Sequence, residues 1–310
     1  MANIAHDVTE TVGHTPLVRI NRLSQGGATV LAKLEYFNPG SSVKDRIGLA
    51  IIDAAEASGE LKPEGTIVEA TSGNTGIGLA LVGAARGYKV VITMPSSMSE
   101  ERKKLLRALG AELVLTDPAQ GVKGAVDAAN KIVSERPGSI LASQFSNPAN
   151  IEKHEQTTGP EIWEDTDGNV DVFVAGVGTG GTVSGVARAL KQCNPNVYTV
   201  AVEPKESPLI TEGHAGPHGI QGIGANFVPD NYDADVIDEV MPVATSCALE
   251  TARRAARQEG LLVGISAGAN LWAAIQLAKR AEFAGKTIVT LLPDTGERYL
   301  STPLWAELGE

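Results

Sequence analysis

Short apolar runs rich in valine, isoleucine and threonine alternate with longer stretches of helical period along almost the whole chain. Extended segments are predicted at 28–36, 66–70, 89–94, 111–116, 170–175, 198–203 and 287–292. Helices are predicted between them, over 43–58, 76–86, 100–109, 121–134, 182–192, 246–258 and 269–281. Crossovers of this length join parallel strands and lay each helix on a sheet face. The run Val170-Asp171-Val172-Phe173-Val174-Ala175 is apolar nearly throughout, as suits a strand covered on both sides. The pattern predicts an α/β fold: two doubly wound, mostly parallel sheets with helices on both faces. No internal repeat of fixed period appears. The alternation breaks at Asn147-Pro148-Ala149-Asn150, so the expected domain border is the loop at 144–150.

Composition narrows the function classes. A chain of 310 residues accommodates two domains at roughly 150 residues each. With 43% hydrophobic and 20% charged residues, it has the balance of a globular chain rather than a disordered one. A net charge of −11 and only 4% aromatic residues supply neither the basic stripe nor the stacking platforms of a nucleic-acid binder. Cys193 and Cys247 stand alone, so neither a disulfide framework nor a zinc site is predicted. No run approaches the ~18 apolar residues of a membrane span, and the first ten residues lack a basic segment leading into an apolar one. A soluble protein of a reducing, cytoplasmic compartment is expected, with no metal and no membrane partner.

Three segments carry chemistry. The predicted strand 66–70 runs into Thr71-Ser72-Gly73-Asn74-Thr75-Gly76 and then an apolar helix. Such a turn aims backbone N–H groups and the helix dipole at one spot. The alternative is a plain helix N-cap, but six small polar residues exceed what one cap needs, and a carboxylate site is expected. A second cradle, Gly176-Val177-Gly178-Thr179-Gly180-Gly181-Thr182, follows the strand at 170–175. It matches G-x-G-x-x-G, with Glu203 closing the next strand, so a nicotinamide-dependent oxidoreductase is a rival reading. Gly180 and Thr182 make the loop better suited to a compact phosphate monoester. The third segment is Ser41-Ser42-Val43-Lys44-Asp45-Arg46, in which Ser42 and Asp45 fit a capping box and put Lys44 in the first helical turn. An amine there is biased towards its neutral form, the form that condenses with an aldehyde. Asp45 and Arg46 are read as cap and salt-bridge residues. His214 and His218 read as solvated loop residues, and Ser266 as a possible N-cap.

A lysine, a phosphate cup and a carboxylate loop are the needs of a pyridoxal-phosphate enzyme acting on amino acids. Asn38-Pro39 with Ser42-Val43-Lys44-Asp45-Arg46, the Thr71–Gly76 loop, Gly178-Thr179-Gly180-Gly181-Thr182 and Gly264-Ile265-Ser266 closely resemble the cysteine synthase (O-acetylserine sulfhydrylase) family. That family belongs to the β-family, or fold type II, pyridoxal-phosphate enzymes. Thr15-Pro16-Leu17-Val18, Gln144-Phe145-Ser146-Asn147-Pro148-Ala149-Asn150, Gln221-Gly222-Ile223-Gly224-Ala225 and Gly296-Glu297-Arg298-Tyr299 extend the likeness over essentially the whole chain.

The resemblance implies a tryptophan synthase β-like fold. A smaller, mobile domain (1–12 and 35–145) would carry Lys44 and the 71–76 loop, and a larger one (13–34 and 146–310) the phosphate cup and Ser266. It implies pyridoxal 5'-phosphate held through Lys44, with Asn74 on the phenolic oxygen, Gly178, Thr179, Gly180, Gly181 and Thr182 around the phosphate, and Ser266 facing the pyridine nitrogen. Thr71, Ser72, Gly73, Thr75, Gln144 and Gly222 would bind substrate. The implied reaction converts O-acetylserine and sulfide into cysteine and acetate through an α-aminoacrylate. Related enzymes using O-phosphoserine, thiosulfate or serine remain alternatives, a phosphoserine user needing an extra arginine such as Arg102 or Arg107. A non-catalytic binding protein on the same fold is a remote one. A homodimer and docking of the serine acetyltransferase C-terminal tail are further implications. Departures from the family pattern are Asn226 where glycine is common, Ala267 where serine is common, and Ser96-Ser97 before Met98.

Overall fold

A computed structural model describes residues 4–306, so the outermost residues of the two expected domains, 1–3 and 307–310, lie outside the described residues. The chain divides into two units. One takes the stretch ending at Val12 and Asn38–Ala149; the other takes Gly13–Phe37 and everything described from Asn150 onward.

The strands are β1 (Leu17–Arg19), β2 (Thr29–Leu34), β3 (Thr66–Ala70), β4 (Lys89–Pro95), β5 (Glu112–Thr116), β6 (Ser139–Leu141), β7 (Val172–Gly176), β8 (Tyr198–Pro204), β9 (Glu239–Val243) and β10 (Thr287–Leu292). The α-helices are α1 (Lys44–Ser58), α2 (Asn74–Arg86), α3 (Glu100–Ala108), α4 (Gly121–Glu135), α5 (Ala149–Lys153), α6 (Gly159–Asp165), α7 (Gly181–Cys193), α8 (Leu209–Glu212), α9 (Thr245–Arg254) and α10 (Ile265–Ala278). None is long and apolar enough to cross a membrane.

The first unit holds a parallel sheet in the order β5-β4-β3-β6. Strand period decides which helices cover each face. Val68 and Val91 point to Ala129 and Ile132 of α4, while Ile67 and Ile92 point to Ile51 of α1 and to Ile77 and Leu79 of α2. The second unit holds the order β1-β2-β10-β7-β8-β9, parallel except where β1 runs antiparallel to β2. Val172, Val174, Val200 and Val202 face Leu271, Ala274 and Leu277 of α10. Phe173, Ala175 and Ala201 face Val183, Val186 and Leu190 of α7. Both sheets are thus doubly covered, as the unbroken apolar runs required.

Some elements differ from the sequence reading. β1 and β6 are too short to show a period, and β9 carries Pro242 on an edge, where proline is tolerated. The helical stretch from α5 to α6 was hidden because Gly159-Pro160 reads as a break. Pro160 instead sits in the first turn of α6, where its missing N–H costs nothing. One π-turn, His154–Thr158, joins α5 to α6. The Lys33 ammonium, fully buried on β2, is held by Glu161 at 3.1 Å, Asp165 at 2.8 Å and the Thr15 carbonyl at 2.6 Å, which ties that stretch to the sheet.

Candidate functional site

In the first unit β3 delivers the polar loop to the start of α2. The N-cap of α2 is Gly73, and no side chain caps this helix. The loop therefore supplies the N-cap position of α2 through Gly73 without a side-chain cap. Thr71 Oγ1 instead accepts the Gly73 N–H at 3.2 Å, which folds the loop back over the end of β3. Thr71, Ser72, Gly73 and Asn74 are half-buried, while Thr75 lies inside. The Thr75 hydroxyl donates to Gln144 Oε1 at 2.6 Å, and Gln144 Nε2 donates to Glu69 Oε1 at 3.2 Å. Gln144 is thus brought to the loop from a point 69 residues further on. Burial pushes the Glu69 carboxyl up to about 7, against the pull of the Gln144 amide and the Ser143 and Gln144 backbone N–H groups. Arg102 reaches the same loop, donating from Nη1 to the Ser72 carbonyl at 3.4 Å.

Lys44 is the first residue of α1, and its N–H donates to Ser42 Oγ at 3.2 Å. The expected capping box is not closed. Asp45 accepts the Gly40 N–H at 2.6 Å rather than that of Ser42, and a Cβ on Gly40 would lie 2.5 Å from Asp45 Oδ1. Asp45 and Arg46 are fully buried, so they anchor the helix start from within. The position of Lys44 follows from a backbone-to-backbone contact. A Cβ on Gly78 of α2 would fall 2.6 Å from the Lys44 carbonyl oxygen, and one on Gly48 of α1 would fall 2.7 Å from the Gly78 carbonyl carbon. Two glycines let the first turns of α1 and α2 touch, which sets the lysine and the 71–76 loop on one rigid piece.

In the second unit β7 runs into the glycine loop. A Cβ on Gly178 would fall 2.3 Å from the Gly222 oxygen, on Gly180 2.6 Å from the Tyr232 nitrogen, and on Gly181 2.0 Å from Asn150 Oδ1. Gly180 also has a φ of 85°. Glycine is required here for space and conformation together. No side chain caps α7, and among the described residues none accepts a backbone hydrogen bond from the N–H groups of Gly178 to Thr182. A helix N-terminus with this much unused donor capacity, in a loop that admits no Cβ, fits a phosphate. Gly222, with φ of 100°, stands 3.4 Å (as a Cβ position) from Ser266 Oγ, which joins Ser266 to the loop's other wall. Gly264 is the N-cap of α10, so Ser266 lies in the first turn and is not the cap.

Two residues that sequence reading passed over support this cup. Asn150 Nδ2 donates to Thr179 Oγ1 at 2.9 Å. His154, fully buried on the π-turn, lies 3.1 Å from Thr182 Oγ1 through Nε2 and 2.9 Å from Thr158 Oγ1 through Nδ1. The signal for both was slight, because Asn150 and His154 stand in the polar run Asn-Ile-Glu-Lys-His-Glu-Gln-Thr-Thr and nothing local separates them from its exposed members. His154→Phe keeps the ring and deletes both nitrogens. It is expected to weaken binding of a phosphate-bearing ligand in this cup about tenfold, the worth of one net hydrogen bond, in a ligand titration.

Other expectations are corrected. His218 is not a solvated residue: Nδ1 accepts the Ile220 N–H at 3.2 Å, which leaves Nε2 to donate to the Gly224 carbonyl at 2.8 Å. His214 is exposed beside Glu212. Glu203, the acid a dinucleotide site needs for ribose, is buried and accepts the N–H groups of Ile210 and Thr211 at 2.8 and 3.1 Å. It caps α8, and the nicotinamide reading loses its ribose partner. Asn226 has φ of 63°, which explains why glycine suits this position, and its Oδ1 accepts from Ser207 Oγ at 3.0 Å. Asn226→Ala is expected to cost about 1–2 kcal/mol in thermal unfolding and Asn226→Gly much less, because asparagine tolerates the left-handed region and alanine does not.

Residues 8–294 match the family described as pyridoxal-phosphate dependent enzyme. Cysteine synthase A of Escherichia coli (strain K12) is 55% identical over 317 aligned positions, covering 99% of this chain and 98% of that protein. The crystal structure of cysteine synthase from Entamoeba histolytica superposes with a TM-score of 0.95 at 48% identity, over 98% of this chain and 91% of that one. The crystal structure of O-ureido-L-serine synthase superposes with a TM-score of 0.95 at 45% identity, over 99% and 97% respectively.

Proposed function

The chain belongs to the pyridoxal-phosphate dependent enzymes, and from that premise we propose that it is a cysteine synthase, replacing the acetate of O-acetyl-L-serine by sulfide to give L-cysteine. Bound pyridoxal 5'-phosphate supplies the electron sink that allows a Cα proton and a β leaving group to depart from an amino acid. The remaining work falls to side chains. Lys44 holds the cofactor between turnovers, takes the Cα proton as general base and returns it at the end. Gly178, Thr179, Gly180, Gly181 and Thr182 grip the phosphate, and Asn74 the phenolic oxygen. Thr71, Ser72, Thr75 and Gln144 hold the substrate carboxylate, and Gly73 and Gly222 complete the substrate-binding set. Ser266 offers the ring nitrogen a neutral hydroxyl rather than a carboxylate, which keeps the sink modest and favours elimination of a good leaving group. The observation that carries this reading is the glycine contact of α1 on α2, which couples the amine to an anion cradle.

Arg102 beside Ser72 supports a second reading in which O-phosphoserine replaces O-acetylserine. Initial rates of cysteine formation with sulfide and O-acetyl-L-serine, O-phospho-L-serine or L-serine separate the two. The proposal expects O-acetyl-L-serine to be fastest by at least an order of magnitude; a faster rate with O-phospho-L-serine overturns it. A cytoplasmic homodimer and capture of a serine acetyltransferase C-terminal tail belong to the same proposal. A carboxylate loop that binds substrate has the chemistry to bind a peptide terminus, and such a tail peptide should compete with O-acetylserine.

A further inference from the structure

Glu69 sits at the end of β3, buried to 4% exposure, two residues before the carboxylate loop. Among the described residues its buried Oε2 has no hydrogen-bond partner, a poor setting for a full negative charge, which offers about four acceptor positions. Its other oxygen takes one hydrogen from the Gln144 amide, whose carbonyl takes the Thr75 hydroxyl hydrogen. In this arrangement the Thr75 proton is spent inward. The hydroxyl then turns only lone pairs towards an anion in the loop, the wrong polarity for a carboxylate. A proton on Glu69 permits the opposite sense at the same heavy-atom positions. Glu69 donates to the Gln144 carbonyl, the Gln144 amide turns over and donates to Thr75, and the Thr75 hydrogen is released outward.

We propose that Glu69 is a positioning residue that sets, through Gln144, the direction of the Thr75 hydroxyl, so that a carboxylate ligand binds together with one proton taken up at Glu69. This rests on the reading that the 71–76 loop takes the substrate carboxylate. The charged groups on the elements packed against β3 are Lys89 on β4, Arg86 on α2, Lys44, Asp45, Arg46, Asp53 and Glu56 on α1, and Lys123, Asp127, Lys131 and Glu135 on α4. Lys89 pairs with Thr66, at the far end of the strand. None enters the balance on Glu69, which sets burial against the Gln144 amide and the backbone N–H groups of Ser143 and Gln144. The carboxyl, pushed up to about 7 by burial, is therefore poised to change state around neutral pH. Affinity for a carboxylate should fall as pH rises above about 7, by up to about tenfold per pH unit while the free site is ionised and the occupied one is not.

The test is calorimetric titration of the cofactor-loaded enzyme with glycine, an amino acid with no β leaving group. It is run from pH 6.5 to 8.5 in buffers of differing ionisation enthalpy, so that protons are counted. Wild type should take up close to one more proton per glycine at pH 8 than Glu69→Gln, whose neutral amide has no proton to gain. The difference cancels protons lost by the ligand's own amine. Equal proton counts and equal pH slopes in the two proteins overturn the proposal while leaving the carboxylate site standing. Failure of wild type to bind glycine at any pH sinks the carboxylate reading and the proposal with it. A second measurement needs no variant. The infrared difference spectrum of wild type at pH 8, glycine-bound minus free, should gain the carbonyl stretch of one protonated carboxyl, and its absence likewise overturns the proposal.

Discussion

Lys44→Ala is expected to fold normally and to lose turnover by roughly three orders of magnitude or more, since one side chain is removed both as covalent anchor and as general base. The fold should survive because Lys44 enters the packing through its backbone. Its N–H to Ser42 Oγ and its carbonyl against Gly78 both persist in alanine. Alanine also favours the helix, and removing a cation from the first turn relieves about 0.3–1 kcal/mol of unfavourable dipole interaction. The melting temperature should therefore match or slightly exceed that of wild type while cysteine formation falls to background. A variant that melts normally and retains near-normal rates would remove Lys44 from the mechanism.

Gly178→Ala carries the second large effect, on cofactor binding. A Cβ there meets the Gly222 carbonyl oxygen at 2.3 Å, and backbone cannot swing aside as a flexible side chain does. Either the 178–182 loop or the 221–224 loop must move, and both border the phosphate site and Ser266. The expected loss is roughly a hundredfold in pyridoxal 5'-phosphate affinity, equivalent to about 2.7 kcal/mol. A further stability cost of about 1–3 kcal/mol is expected from overpacking. Gly285→Ala is the control. It has a φ of 78°, a left-handed conformation that Gly178 does not share, and its Cβ would meet nothing within 4 Å, so it isolates backbone strain from collision. It should cost about 1–2 kcal/mol of stability through backbone strain alone and leave cofactor affinity unchanged. Cofactor absorbance retained after gel filtration measures the difference, and equal retention in Gly178→Ala and wild type would show that the loop is not the phosphate cup.

The pyridoxal-phosphate family membership and the doubly wound sheets were legible from the chain. The sheets rest on apolar runs of strand length with helical period between them, and the family on the resemblance of several short motifs, from Thr15–Val18 to Gly296–Tyr299, to a known family. The two strand–turn–helix loops were legible for the same reason, because a strand, a turn and a helix N-terminus are neighbours in sequence. The supporting residues were not. Glu69 reads as one polar residue in a strand, and its partner Gln144 lies 75 positions away. His154 and Asn150 act on Thr182 and Thr179 across 28 and 29 positions.

The sequence by itself determined where strands, helices and turns fall, because side-chain period and glycine's conformational freedom are local properties of the chain. It likewise marked the lysine at the start of α1 and the two polar, glycine-rich turns to which the proposed function assigns the phosphate and the carboxylate. Tertiary structure alone decided that Asp45 holds Gly40 and not Ser42, that Glu203 is spent on α8, and that Asn226 occupies a left-handed turn. It also decided that Glu69, Gln144 and Thr75 form one chain of hydrogen bonds. A buried polar group must find a partner wherever packing places one, and that choice depends on which distant segments meet.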